Sequence, residues 1–393
     1  GKHITRCLLP LYATLTVAII PLTIYKYYDF ACSILTDVGL LCKSHSLIIP
    51  IGISFFTLQA IGYIIDVYRG KIKAENNLLD YTLFLSLFPQ IVAGPISRYS
   101  QLMPQIKNNR TFSAQRATEG LRMLLWGVFL KIVIADRLSL YVNDIVNYID
   151  VADGSSLLSM AFFYSFQIYS DFAGYSLMAI GTAKVVGFDL PDNFRRPYLS
   201  VSITEFWRRW HISLSLWLRD YIYISLGGNR CSRWRNYVNI TTTFLVSGIW
   251  HGANYTFLIW GLLHGMFQCI EKVLGLNKEY AGNKLLKAIR IATTFIIVTM
   301  LWIVFRMPTL SDAWTVFVHI ATTTDFHLVM PEKYVIILLA IAIIKDLVDE
   351  YHPQYDMLHH RSLMVRWTSY VLIAMSIILF GVFDSGQFIY AKF

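Results

Sequence analysis

The sequence predicts an all-α, polytopic integral membrane protein. Three observations carry this. Of 393 residues, 55% are hydrophobic and only 15% are charged, where a soluble domain carries roughly 25% charged residues. Mean hydropathy is +0.50, and apolar runs of membrane length recur from end to end. Aromatic residues make up 15% of the chain, which excludes disorder. The spans are expected to be helices, because lipid leaves no water to satisfy unpaired backbone groups.

A spanning helix takes roughly 17–25 mostly apolar residues. Residues 7–25 and 46–65 are long enough and free of Asp, Glu, Lys and Arg. Residues 78–96 are interrupted by Pro89, Gly94 and Pro95, which predicts a bent or re-entrant segment. Residues 120–138 qualify with Lys131 buried or snorkelling, and residues 157–183 are apolar apart from Asp171. Residues 291–305, 334–344 with their flanks, and 367–383 also qualify, for roughly ten membrane segments in all. The run 236–270 has no Asp, Glu, Lys or Arg. As one helix its 35 residues would reach about 52 Å, against a hydrocarbon core of about 30 Å. A break is therefore expected within residues 247–254, where glycines permit it, with both outer ends on one side.

Lys and Arg total 34 against 25 Asp and Glu, a net charge of +9. In a membrane chain such an excess marks cytoplasmic loops rather than a nucleic-acid site. Residues 97–119 and 184–235 are basic, whereas 139–156 carry Asp144, Asp150 and Asp153 with no Lys or Arg. The first two are expected in the cytoplasm and the acidic loop outside. Cys7, Cys32, Cys42, Cys231 and Cys269 are scattered without a CxxC, which suggests neither a disulfide framework nor a zinc cluster. The chain opens Gly1-Lys2-His3 and turns hydrophobic almost at once, so an amino-terminal part is expected to be missing.

His251 stands in Trp250-His251-Gly252-Ala253-Asn254, between two apolar stretches. It is either a core histidine bonded to a carbonyl or a functional group, and imidazole at membrane depth is a functional candidate by default. Imidazole titrates near working pH, so it can take a proton from a hydroxyl and pass it on. Asn254 lies three residues on, placed to orient the ring or a substrate carbonyl. In residues 203–221, Phe206, Trp207, Trp210, Leu214, Trp217, Leu218 and Tyr221 recur at three- and four-residue spacing, one face of a helix. That pattern predicts an interfacial amphipathic helix with Trp anchors. The same segment carries His211 and can present Arg208 and Arg209 to a phosphate-bearing donor. Asp171, alone in its span, needs a wet cavity or a partner such as Lys131, since a lone carboxylate there costs about 2.5–3.5 kcal/mol. His264 sits in an apolar stretch and is read as packing. The cluster His352, Asp356, His359 and His360 lies in a basic juxtamembrane loop containing Pro353, and no metal site is expected from it.

Several runs together resemble the membrane-bound O-acyltransferase family, in its bacterial alginate O-acetyltransferase-type branch. They are residues 50–56, Asp66-Val67-Tyr68-Arg69-Gly70, 88–96, Asp171-Phe172-Ala173-Gly174-Tyr175-Ser176, Pro191-Asp192-Asn193-Phe194, 202–220, 248–254 and 388–393. The resemblance runs nearly end to end, and residues 205–211 and 250–254 are its most specific parts. Leu177 stands where the branch usually has an acidic residue, and Ser225 where it commonly has Pro.

The resemblance implies one family domain over residues 1–393, lacking amino-terminal hydrophobic segments, with its helices around a central tunnel. It implies that His251 is the membrane-embedded active-site histidine and His211 the second characteristic one. Substrate contacts are expected from Trp250, Asn254, Trp207, Arg208, Arg209 and Asp171. It further implies acetyl-CoA as donor substrate from the cytoplasm, no metal or redox cofactor, a location in the bacterial cytoplasmic membrane, and an extracytoplasmic acetyltransferase partner with a polysaccharide acceptor. Two other readings compete at this stage. One is D-alanyl transfer to teichoic acid; the other is transport of a lipid-linked sugar, with Asp171 and His251 as pathway residues.

Overall fold

The computed structural model describes residues 8–45, 47–91, 94–278, 280–323 and 327–383. Cys7, Ser46, Val92 and Ala93 of the bent-segment motif, and the run 388–393 lie outside the described residues. All regular structure among those described is helical: α1 (Leu8–Leu22), α2 (Tyr28–Asp37), α3 (Ile53–Tyr68), α4 (Leu78–Ser86), α5 (Phe88–Ile91), α6 (Tyr99–Lys107), α7 (Ala114–Val128), α8 (Asp136–Val146), α9 (Gly154–Val185), α10 (Ile203–Arg209), α11 (Ile212–Leu218), α12 (Arg233–His251), α13 (Tyr255–Val273), α14 (Lys284–Arg306), α15 (Leu310–Thr322), α16 (Lys333–Tyr351) and α17 (Leu363–Phe380). Wider π-helical turns, Thr23–Tyr27 and Phe129–Ala135, join α1 to α2 and α7 to α8.

The molecule is apolar on the outside. Ile337, Ile341 and Ile344 of α16, and Val371, Met375 and Ile378 of α17, are exposed at the spacing of one helix face. In water such stripes would drive association, whereas hydrocarbon solvates them. Three helical runs, Leu8–Asp37, Lys284–Arg306 and Leu363–Phe380, are long and apolar enough to cross a membrane. Among the described residues, three of the roughly ten segments expected thus meet these criteria. Helices such as α9 and α12 are of membrane length but place polar residues on the inside, which lowers their hydropathy.

At 32 residues, α9 reaches about 48 Å and packs against α7, α8, α14 and α15. Where α7 widens into its π turn, Lys131 Nζ meets Asp171 Oδ1 and Asp136 Oδ1, each at 2.7 Å. All three are buried, so Asp171 finds its partner in Lys131, one helix away, which it shares with Asp136.

Four expectations are corrected. The second apolar segment becomes helical only at Ile53, because Pro50 lacks a backbone donor and Gly52 adopts φ +77°. A Cβ at Gly52 would sit 2.1 Å from the Ile91 carbonyl oxygen, so the bent segment packs directly on this backbone. The first helical run does not end at Tyr25 but continues to Asp37, which brings Lys26 inside it. Cys32 and Cys42 form a disulfide, with Cα atoms 5.1 Å apart: the hairpin after α2 brings together two residues that no spacing rule pairs. Residues 203–221 are not one interfacial helix. They break at Trp210–His211, and the aromatic face expected at the headgroups is buried in the protein, with Phe206, Trp210 and Leu214 each 1% exposed.

Candidate active site

The site begins with the hairpin α12–α13, into which the charge-free stretch folds. Gly248 and Gly261 let the two backbones touch: a Cβ at Gly248 would lie 2.2 Å from the Phe257 carbonyl oxygen. His251 is the last residue of α12, 2% exposed. Its ring packs edge-on against Trp250 (5.0 Å between centroids), Trp260 (5.2 Å) and Phe305 (5.5 Å). The final carbonyls of α12 have no partner within the helix. Lys26 Nζ donates to the Trp250 carbonyl (2.7 Å) and the Tyr27 hydroxyl to that of Ile249 (2.8 Å), so the first helical run caps the helix that carries His251. The Trp250 indole donates to the Ser54 carbonyl at 3.3 Å. Asn254 caps α13 by accepting from Thr256 N (3.1 Å) and donates to the Pro308 carbonyl (2.7 Å); both ends of its amide are engaged in holding the junction.

The second histidine sits in the break between α10 and α11. α10 starts where the Glu271 carboxylate accepts from the amides of Ile203 and Thr204. It ends because Arg195 N donates to the Arg209 carbonyl and Ile212 N to the Asn193 carbonyl, both at 2.9 Å. His211 between them has φ +42°, a left-handed conformation that costs a non-glycine residue about 1–2 kcal/mol. Its ring is fully buried among Phe172 (4.6 Å), Trp250 (5.9 Å) and Phe55 (6.5 Å). Trp250 therefore lies between the two histidines. Trp207, on α10, donates its indole N–H to His264 Nδ1 at 3.2 Å, and its ring is 5.6 Å from Trp260. His264 packs, as expected, and also fixes this indole.

Two cavities lie along α12, one just past its His251 end and one beside its middle turns. One, of about 460 Å³, is lined by Gly252, Ala253 and Asn254, by Ser139 and Asn143 of the acidic-loop end, and by Lys26, Tyr164, Gln167 and Arg306. The other, of about 310 Å³, is lined by Trp207, Arg208, Arg219, Thr243, Phe244, Ser247 and Lys272. Ser247, which lines the second, and Gly252, which lines the first, are five residues apart in the sequence, and His251 itself lines neither. Arg208 is exposed and also lines a neighbouring cavity of about 340 Å³ with Arg195, Arg196 and Lys278. Arg209 is committed elsewhere, to Glu205 at 2.7 Å and Glu350 at 2.8 Å. Asp171, in its ion triad, likewise lines neither cavity.

Sequence reading missed Lys26, Asn193, Tyr164, Gln167 and Trp260. Lys26 had a signal: a lysine at the edge of an apolar run is a candidate for inclusion in the helix. Tyr164, Gln167 and Trp260 look like ordinary members of apolar helices, and only the fold turns them toward the site.

The chain is 44% identical over 299 residues to "Probable alginate O-acetylase AlgI" of Pseudomonas aeruginosa, covering 75% of this chain and 56% of that one. It is 38% identical over 322 residues to "Peptidoglycan O-acetyltransferase" of Helicobacter pylori, covering 74% and 60%. It is 29% identical over 297 residues to "Teichoic acid D-alanyltransferase" of Streptococcus thermophilus, covering 69% and 71%. The chain thus spans little more than half the length of the alginate relative. The sequence profile of the membrane-bound O-acyltransferase family matches residues 72–307, a stretch that holds both histidines and their helix breaks. This membrane protein belongs to the membrane-bound O-acyltransferase family, in its alginate O-acetyltransferase-type branch.

Proposed function

We propose that this protein transfers an acetyl group from a cytoplasmic donor, acetyl-CoA, to a hydroxyl on the outer side of the bacterial cytoplasmic membrane, as a step in O-acetylating an exported or cell-surface polysaccharide. The observation that carries the reading is a buried histidine, His251, at the break of the charge-free hairpin, with one cavity lined by the residues that follow it and another lined by the preceding turns of α12. The cavity toward the basic loops has an apolar lining and a rim of Arg208, Arg219 and Lys272, suited to a thioester arm with phosphates at its far end. The cavity at the acidic loop mixes apolar side chains with hydroxyl and amide groups, Lys26 and Arg306, and its polar groups suit a polyhydroxyl acceptor or the partner protein that delivers it. The chain is read as multi-pass, with the acidic loop outside and residues 184–235 in the cytoplasm. Three named relatives act on three polymers, and the higher identities fall on the two acetyl-transferring names, which favours acetyl over D-alanyl transfer. Family membership favours acyl transfer over transport.

In the reaction His251 takes the proton of the acceptor hydroxyl while the oxygen attacks the thioester carbonyl. The tetrahedral adduct collapses, the carbon–sulfur bond breaks, and the CoA thiolate leaves and recovers the proton from the imidazolium. The products are an acetyl ester and free CoA. General-base assistance contributes about 10²–10⁴ in rate; burial at the hairpin tip excludes water, which would otherwise hydrolyse the thioester. The test is acetyl transfer by His251→Gln and His251→Ala at matched membrane expression, with thermal stability in detergent recorded alongside. Both are expected to fold and to lose at least about 10² in turnover. A folded His251→Gln protein with near-normal turnover would remove His251 as the base.

A further inference from the structure

We propose that Asn193 is the positioning residue for His211: its side-chain carbonyl holds the proton of the neutral imidazole on Nδ1 and leaves Nε2 as an acceptor for a ligand O–H or N–H. The argument is one of donors and acceptors. Ser213 N, a backbone amide that can only donate, points at Asn193 Oδ1 (3.3 Å). The Ser213 hydroxyl accepts from Ile96 N (3.0 Å) and donates to the same Oδ1 (2.8 Å). At the other end of the amide, Asn193 Nδ2 donates to Ser176 Oγ (3.1 Å). Turning the amide over would set NH₂ against the Ser213 N–H, which can only donate, so its orientation follows from that neighbour. His211 Nδ1 lies 3.2 Å from that oxygen and must donate to it.

The opposite nitrogen, His211 Nε2, is buried and has no hydrogen-bond partner among the described residues. The side chains that face the ring are Phe55 from α3, Phe172 from α9 and Trp250 from α12, none of them titratable. The next titratable ring, beyond Trp250, is that of His251. An imidazolium would put a second N–H into this apolar enclosure with no acceptor, which disfavours it. An amide at position 193, rather than a carboxylate, keeps the ring neutral and its Nε2 lone pair free to accept. The main-chain carbonyl of Asn193 also receives Ile212 N at 2.9 Å, so one residue holds both the left-handed backbone of His211 and the direction of its ring.

The kinetic half of the test rests on the acyl-transfer reading; the spectroscopic half does not. In full-length, ¹⁵N-histidine-labelled protein in detergent, the His211 resonances, identified by their loss in His211→Gln, are expected to show a protonated Nδ1 and an unprotonated Nε2. The reverse tautomer overturns the proposal whether or not the protein transfers acetyl groups. In the kinetic half, Asn193→Asp keeps both acceptor positions but favours the imidazolium, so the acid limb of the pH–rate profile should move up by about one unit or more, with alkaline activity within about tenfold of wild type. Asn193→Ala should lower kcat at every pH while the KM for acetyl-CoA changes by less than about threefold. Superimposable wild-type and Asn193→Asp profiles, or a loss by one common factor at every pH, would reduce Asn193 to a packing residue. A wild-type protein with no acetyl transfer counts against the function and leaves the tautomer to the spectrum.

Discussion

At Arg208 the guanidinium is exposed above two cavities, whereas one residue on Arg209 is held by Glu205 and Glu350. Sequence spacing treats them alike, because both fall off the aromatic face; only the partners separate them. Arg208→Ala is expected to raise the KM for acetyl-CoA about tenfold, the loss of one phosphate contact of about 1.4 kcal/mol, with kcat nearly unchanged. Arg209→Ala should lower thermal stability, by about 1 kcal/mol for a partly exposed pair, and leave KM within about twofold. Steady-state kinetics and thermal unfolding of both variants decide, and an unchanged KM in Arg208→Ala removes the donor role. Asp171 poses the same choice between substrate and structure. Lys131→Met would leave Asp136 and Asp171 buried together without their cation, at a cost of about 3–5 kcal/mol. Asp171→Asn, which leaves the Lys131–Asp136 pair, should cost less and change neither KM. A raised KM in Asp171→Asn at unchanged stability would make Asp171 a substrate residue after all.

Among the elements, the α12–α13 hairpin was legible and the α10–α11 break was not. A charge-free run too long for the bilayer must fold back, and Gly248 and Gly252 mark where, so that conclusion needs only length and glycine. The break at Trp210–His211 comes from hydrogen bonds offered by Asn193 and Arg195, residues outside the segment, and the 3.6-residue period continues across it undisturbed. The Cys32–Cys42 bridge was hidden for the same reason: the turn that joins the two residues is not encoded in their spacing. Closing a loop with a separation of 10 residues restricts the unfolded chain by about 2.5–3 kcal/mol. Thiol alkylation of the denatured protein without reductant should therefore modify neither Cys32 nor Cys42, and the double variant Cys32→Ser/Cys42→Ser should melt at a lower temperature. Ready alkylation of both cysteines without reductant would show that the bridge does not form.

Across the whole molecule, Tyr27 and Lys26 reach the carbonyl end of α12, and Arg306 donates to Asn143 at 2.7 Å. The disulfide hairpin, the acidic loop and the hairpin tip with His251 therefore gather at one end, and the basic segment with the cavities lined by Arg208 at the other. That polarity predicts the labelling of a cysteine-free background in intact cells. Cysteine introduced at Asp150 should react with an impermeant reagent, and cysteine at Ser232 only after the membrane is opened. The reverse pattern would invert both the orientation and the direction of acyl transfer. Helical class, membrane residence, the fold-back around residues 247–254 and the candidacy of His251 were all readable without coordinates. Each depends on hydropathy, chain length or the solvation cost of a group, quantities that a short stretch of residues carries wherever it lies. What covers Lys131, what bends the chain at His211, which of two adjacent arginines is free and which two cysteines meet were settled by packing. Those outcomes depend on groups far apart in the chain, and no local period or composition records which distant neighbour a side chain will find.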